Sequence, residues 1–95
     1  MENIVKVIEQ QVEKINAENW AFDMQFTIWK EKRAYFKRPG VSRKYQDVGY
    51  IDLITFKTFP MNIPAISFKA RTSDEKKYAD VLSDISNALL GTLQL

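Results

Sequence analysis

The sequence predicts a single α+β domain over residues 1–95, in which a helix, a three-stranded antiparallel meander and a second helix follow one another. Three observations predict it. Ile4, Val5, Ile8, Val12 and Ile15 recur at helical spacing near the start, and from Trp20 to Ile28 the apolar period becomes two. Further on, Thr72-Ser73-Asp74-Glu75 has the S/T-x-x-E form of a capping box ahead of a second periodic stretch. The intervening turns are short, so an antiparallel order with the helices packed on the sheet is the economical arrangement.

The first helix is expected over residues 3–16, with Glu9 at the border of its apolar stripe and Glu13 turned towards solvent. Trp20, Phe22, Met24, Phe26 and Ile28 then form one face of a half-buried strand whose other face carries Asp23, Gln25 and Thr27. Trp29 breaks the alternation, and charge dominates as far as Asp47. Within that segment Arg38-Pro39-Gly40-Val41 has proline and glycine in the central positions of a type II turn, the far end of a projecting hairpin.

Val48 to Phe56 is apolar on both faces, as a central strand is, and Asp52 is its only charged residue. Phe59-Pro60-Met61-Asn62-Ile63-Pro64 reads as a loop, because neither proline can donate to a ladder. A third strand is expected from Ile66 to Arg71. The second helix then buries Tyr78, Val81, Leu82, Ile85, Ala88 and Leu89 and stops at Gly91, after which Thr92-Leu93-Gln94-Leu95 either docks as a short fourth strand or frays.

Composition narrows the chemistry. The chain has 45% hydrophobic and 27% charged residues with three glycines and three prolines, a globular balance. It contains neither cysteine nor histidine, which excludes thiol nucleophiles, imidazole bases and zinc sites of the usual kind. Any catalysis falls to carboxylates, lysine, tyrosine or a carboxylate-held metal. The start, MENIVKVIEQ, is unlike a secretory signal, and no apolar run approaches the roughly 20 residues of a membrane span, so a cytoplasmic protein is expected.

Net charge is +2, but its distribution is uneven. Lys30, Lys32, Arg33, Lys37, Arg38, Arg43 and Lys44 fall in a segment with one acid, Glu31, which makes the segment +6 and the remainder −4. Interleaved with Tyr35, Phe36 and Tyr45, these cations suit phosphate neutralisation and base stacking, the needs of a DNA or RNA groove. Arginine and tyrosine are equally favoured at protein interfaces, and a solvated hairpin would have the same composition.

Asp52 requires compensation, since an ionised acid in an apolar sheet costs several kcal/mol without a cation, donors or a metal. Lys69 in Ala65-Ile66-Ser67-Phe68-Lys69 is one candidate, and Lys57 is another within a plain α+β domain. Together, the element order, Gly49-Tyr50-Ile51-Asp52 and the Ser67-Phe68-Lys69 triplet resemble the core of the PD-(D/E)XK nuclease superfamily from Val5 to Leu90. The resemblance implies Asp52 and Lys69 as catalytic residues, with Asp47 as the alternative acid, and Glu9 with Asp52 as ligands of magnesium if cleavage is retained. Ser67 stands where the family has the acid of its E-x-K triplet. A neutral hydroxyl in place of a carboxylate weakens metal binding, so the implied core is degenerate and catalysis absent or weak.

The function expected from the sequence is therefore a small nucleic-acid-binding domain with a degenerate nuclease-like core. Its alternative is a protein-binding inhibitor or adaptor that grips a nucleic-acid-processing enzyme.

Overall fold

The structure, a computed structural model, describes residues 1–18, 23–39, 45–60 and 68–93. Helix α1 (Glu2–Asn16) precedes strands β1 (Gln25–Trp29), β2 (Arg33–Pro39), β3 (Tyr45–Asp52) and β4 (Thr58–Pro60), and helix α2 (Phe68–Leu93) follows them. The strands form one antiparallel sheet in the order β1-β2-β3-β4. The α+β class and the order helix, meander, helix are as the sequence predicts.

Both helices cover the same side of the sheet. Ile8, Val12 and Ile15 of α1 meet Tyr78, Val81, Leu82, Ile85 and Leu89 of α2, and the sheet adds Ala34, Phe36, Val48 and Ile51. Each helix is thus fixed by one apolar stripe, the usual source of helix stability in a small domain. Asn16 fastens the end of α1 to the start of the sheet. Its Nδ2 donates to the Met24 carbonyl at 3.1 Å, and its Oδ1 accepts from the Met24 amide at 2.7 Å. Between β2 and β3 the register shifts at Phe36/Lys37, where Phe36 pairs with Gly49 and Lys37 with Asp47. Val48 is the extra residue of this bulge, and it is buried.

Several elements differ from expectation. The basic segment is not a separate projection at its start, because Arg33–Pro39 is the second strand of the sheet. The strand expected at Val48–Phe56 begins at Tyr45 and ends at Asp52. Residues 68–71 are the first turn of α2 rather than a third strand, so the capping-box sequence at Thr72 falls inside the helix. Phe68, Lys69, Ala70 and Arg71 all tolerate a helix, and so short an apolar alternation does not separate the two structures. The fourth strand is Thr58–Pro60, where proline ends an edge strand. Gly91, Thr92 and Leu93 continue α2, which removes the expected stop and the C-terminal strand over those residues. Ile66, Ser67, Gln94, Leu95 and the turn at Gly40 and Val41 lie outside the described residues. Among the described residues no helix is long and apolar enough to cross a membrane.

Candidate functional site

The alternation that sends Phe26, Ile28, Ala34 and Phe36 towards the helices sends Gln25, Thr27, Trp29, Arg33, Tyr35 and Lys37 to the other face. Register adds Tyr50 and Phe59 beside Tyr35, and Asp52 beside Arg33. Among the described residues, neither helix packs on this face.

A rung of rings crosses it. Tyr35 and Tyr50 have centroids 5.3 Å apart, and Tyr50 stacks on Phe59 at 4.6 Å with 15° between planes. The Arg33 guanidinium lies 4.7 Å over the Tyr50 ring and 5.7 Å from the Trp29 centroid, and its Nη1 donates to the Tyr35 hydroxyl at 3.0 Å. Lys30 places its Nζ 4.8 Å from the Trp29 centroid. Trp29 and Phe59 remain 43% and 40% exposed, which leaves ring faces at the surface. Cations held over rings order both groups, at about 0.5–1 kcal/mol per exposed pair.

Two turns at one end of the sheet hold this arrangement. In the first, the Lys32 amide donates to the Trp29 carbonyl at 2.9 Å, with Lys30 and Glu31 at φ 49° and 57°. Two consecutive left-handed residues define a type I′ turn, which normally selects asparagine and glycine. A side chain in that conformation costs about 1–2 kcal/mol, against about 0.4–1 kcal/mol for glycine's extra freedom when unfolded. Glu31→Gly is therefore expected to raise stability by about 0.5–1 kcal/mol in urea denaturation; an unchanged or lower midpoint would show that the turn is unstrained.

The second turn follows Asp52. The amides of Ile54 and Thr55 donate to Asp52 Oδ1 at 2.8 and 2.9 Å, and the Phe56 amide donates to the Asp52 carbonyl at 2.8 Å. Ser86 of α2 anchors its end by donating to the Phe56 carbonyl at 2.6 Å. The two turns are joined where the Leu53 amide donates to the Lys32 carbonyl at 2.8 Å. The Thr55 amide first and the Ile54 amide second hold the Asp52 carboxyl below the usual carboxylate range, with the Thr55 hydroxyl and Arg33 adding to them.

A carboxylate with a depressed folded-state pKa stabilises fully above its unfolded value, ordinarily 3.8, and that contribution is lost as pH falls through the folded value. Asp52→Asn keeps an acceptor for the turn but carries no charge. The stability difference between wild type and this variant should therefore shrink as pH drops from neutral to below the ordinary carboxylate value. Denaturation midpoints that change in parallel would rule out the carboxylate as the source.

No family model, curated protein or solved structure matches this chain.

The sequence-derived candidates are divided among several places. Lys30, Lys32, Arg33 and Lys37 lie on the open face or in its turn, and Arg33 adjoins Asp52. Arg38 points the other way, where its Nε donates to the hydroxyl of the buried Tyr78 at 2.7 Å. Arg43 and Lys44 lie outside the described residues. Lys69 sits in the first turn of α2, not on a strand beside Asp52, and its side chain is among those not described. Glu9 is exposed on α1, in the helix layer, whereas Asp52 belongs to the opposite face of the sheet. Glu9 and Asp52 therefore do not converge on a magnesium ion, and among the described residues no group of three or more acids could hold a metal.

Trp29, Tyr50 and Phe59 were not singled out by sequence reasoning, and Phe36 proves to be core rather than part of the surface. Parity was the available signal. Counting by twos through Arg33-Ala34-Tyr35-Phe36-Lys37 separates two small or apolar residues from an arginine, a tyrosine and a lysine.

Proposed function

We propose that the open sheet face binds single-stranded nucleic acid and does not cut it. The observation that carries this reading is the Tyr35–Tyr50–Phe59 rung with the Arg33 guanidinium seated over its centre. Bases stack on such rings whatever their identity, and a sheet face on which, among the described residues, neither helix packs leaves room for a splayed strand. Lys30, Lys32 and Lys37 supply phosphate contacts at the two ends of β2. The strained turn at Lys30 and Glu31 fits the same reading, since charged residues kept in an unfavourable conformation point to a role other than stability. The Asp52 carboxylate is engaged by turn amides, which accounts for this acid without a cleavage step.

The test is fluorescence anisotropy with labelled deoxy- and ribo-oligonucleotides of about ten residues, as single strands and as duplexes, over a range of salt. Single strands should bind more tightly than duplexes. Affinity should fall with salt at a slope of about 0.7 per phosphate neutralised, so near 2–3 for three or four contacts. Equal binding of duplex, or none at low salt, would overturn the proposal. A complex with a protein that survives nuclease digestion would instead favour the adaptor reading, which the same tryptophan, tyrosine and arginine surface would serve.

A further inference from the structure

The two edges of the sheet are treated differently. β4 is three residues long and ends in Pro60, which has no amide to offer, and α2 packs closely against it. β1, with the sequence Gln25-Phe26-Thr27-Ile28-Trp29, has no charge, proline or bulge, and among the described residues it pairs with β2 alone. Edges of this kind are templates for another strand unless guarded by such devices. On its inner face Phe26 and Ile28 pack on the core yet stay half-buried at the rim.

We propose that β1 pairs with β1 of a second copy of this chain, antiparallel, about a two-fold axis at Thr27. The strand is self-complementary in this register. Gln25 meets Trp29 of the other copy, Phe26 meets Ile28 and Thr27 meets Thr27, so all five residues of each strand are paired. Like-numbered parity is kept, which sets Phe26 and Ile28 of both copies on the helix side and extends the core across the joint. A slip of one residue would turn the two apolar faces to opposite sides. The product is an eight-stranded sheet whose two ring-bearing faces are continuous. Five paired residues per copy put the contact at the low end of interface sizes, so the dimer is concentration-dependent. This inference does not depend on the nucleic-acid reading.

The natural chain has no cysteine, which allows a direct test. Facing residues of an antiparallel pair have Cα atoms about 4.5–5.5 Å apart, within disulfide reach, so Thr27→Cys should cross-link to a covalent dimer under mild oxidation. Gln25→Cys, on the same strand and face, lies about 13 Å from its own copy in this register and should stay largely uncross-linked. Analytical ultracentrifugation of the unmodified protein should show a monomer–dimer equilibrium. Thr27→Lys, an exposed position, should abolish it by setting two ammonium groups opposite each other while leaving the circular dichroism spectrum unchanged. Equal cross-linking of both cysteine variants, a chain monomeric at all concentrations, or a dimer that persists in folded Thr27→Lys would each overturn the proposal.

Discussion

Gly49→Ala is expected to lower the stability of the protein by about 2–6 kcal/mol. Gly49 sits in β3 at φ +147°, between Phe36 of β2 and Pro60 of β4. A Cβ there would lie 2.4 Å from the Phe59 carbonyl oxygen, 2.7 Å from Leu82 Cδ1 and 2.9 Å from Pro60 Cα. Two of those three atoms are backbone, so relief means parting β4 from β3. Overpacking costs about 1–3 kcal/mol and a strained backbone about 1–3 kcal/mol more. The sum, about 2–6 kcal/mol, is a large part of the roughly 5–14 kcal/mol expected for a chain of this length. Adding Leu82→Ala should not rescue the variant, because the backbone contacts remain. Gly91→Ala is the control: its Cβ meets nothing within 4 Å in a helix, and alanine there should stabilise by about 0.5–1 kcal/mol. Urea denaturation of the variants separates the cases, and a Gly49→Ala midpoint near wild type would show that β3, β4 and α2 do not approach this closely.

What could be read in advance follows from where burial is decided locally. The stripes of α1 and α2 repeat at intervals that only a helix satisfies, and Tyr78, Val81, Leu82, Ile85 and Leu89 are buried as that spacing requires. β2 is harder, because Ala34 and Phe36 are the only buried positions among its described residues and the flanking Arg33, Lys37 and Arg38 dominate the composition. Trp29 reads as a break in the alternation, yet it continues the polar face with Gln25 and Thr27. The site was read less well for a physical reason. Asp52 stood out as an acid within an apolar run, but the run is two structures: a strand that ends at Asp52, and a turn whose amides the carboxylate accepts. Asparagine and aspartate habitually bond to amides two and three residues on, which gives this carboxylate a local compensation. Register is not local. It alone brings Tyr50 between Tyr35 and Phe59, residues that are widely separated in the chain.

That central position makes Tyr50 the most consequential residue of the open face, and Tyr50→Ala is expected to weaken single-strand binding about 5- to 150-fold. The range corresponds to about 1–3 kcal/mol for loss of one stacking ring. The upper half is expected for this position, because the ring also contacts both neighbours and lies under Arg33, so its removal frees the guanidinium as well. Tyr50→Phe retains the ring and should bind within about twofold of wild type, whereas Tyr50→Leu retains bulk without a π-face and should resemble alanine. Lys37→Ala separates charge from stacking: it should lower the salt slope by about 0.7 while affecting all base compositions alike. Cross-strand pairs contribute about 0.2–1 kcal/mol each, so losing two leaves a folded protein, and the variants can be compared at equal circular dichroism. Binding that is indifferent to Tyr50→Ala yet falls with Lys37→Ala would reduce the face to a non-specific cation patch and remove the stacking platform from the account.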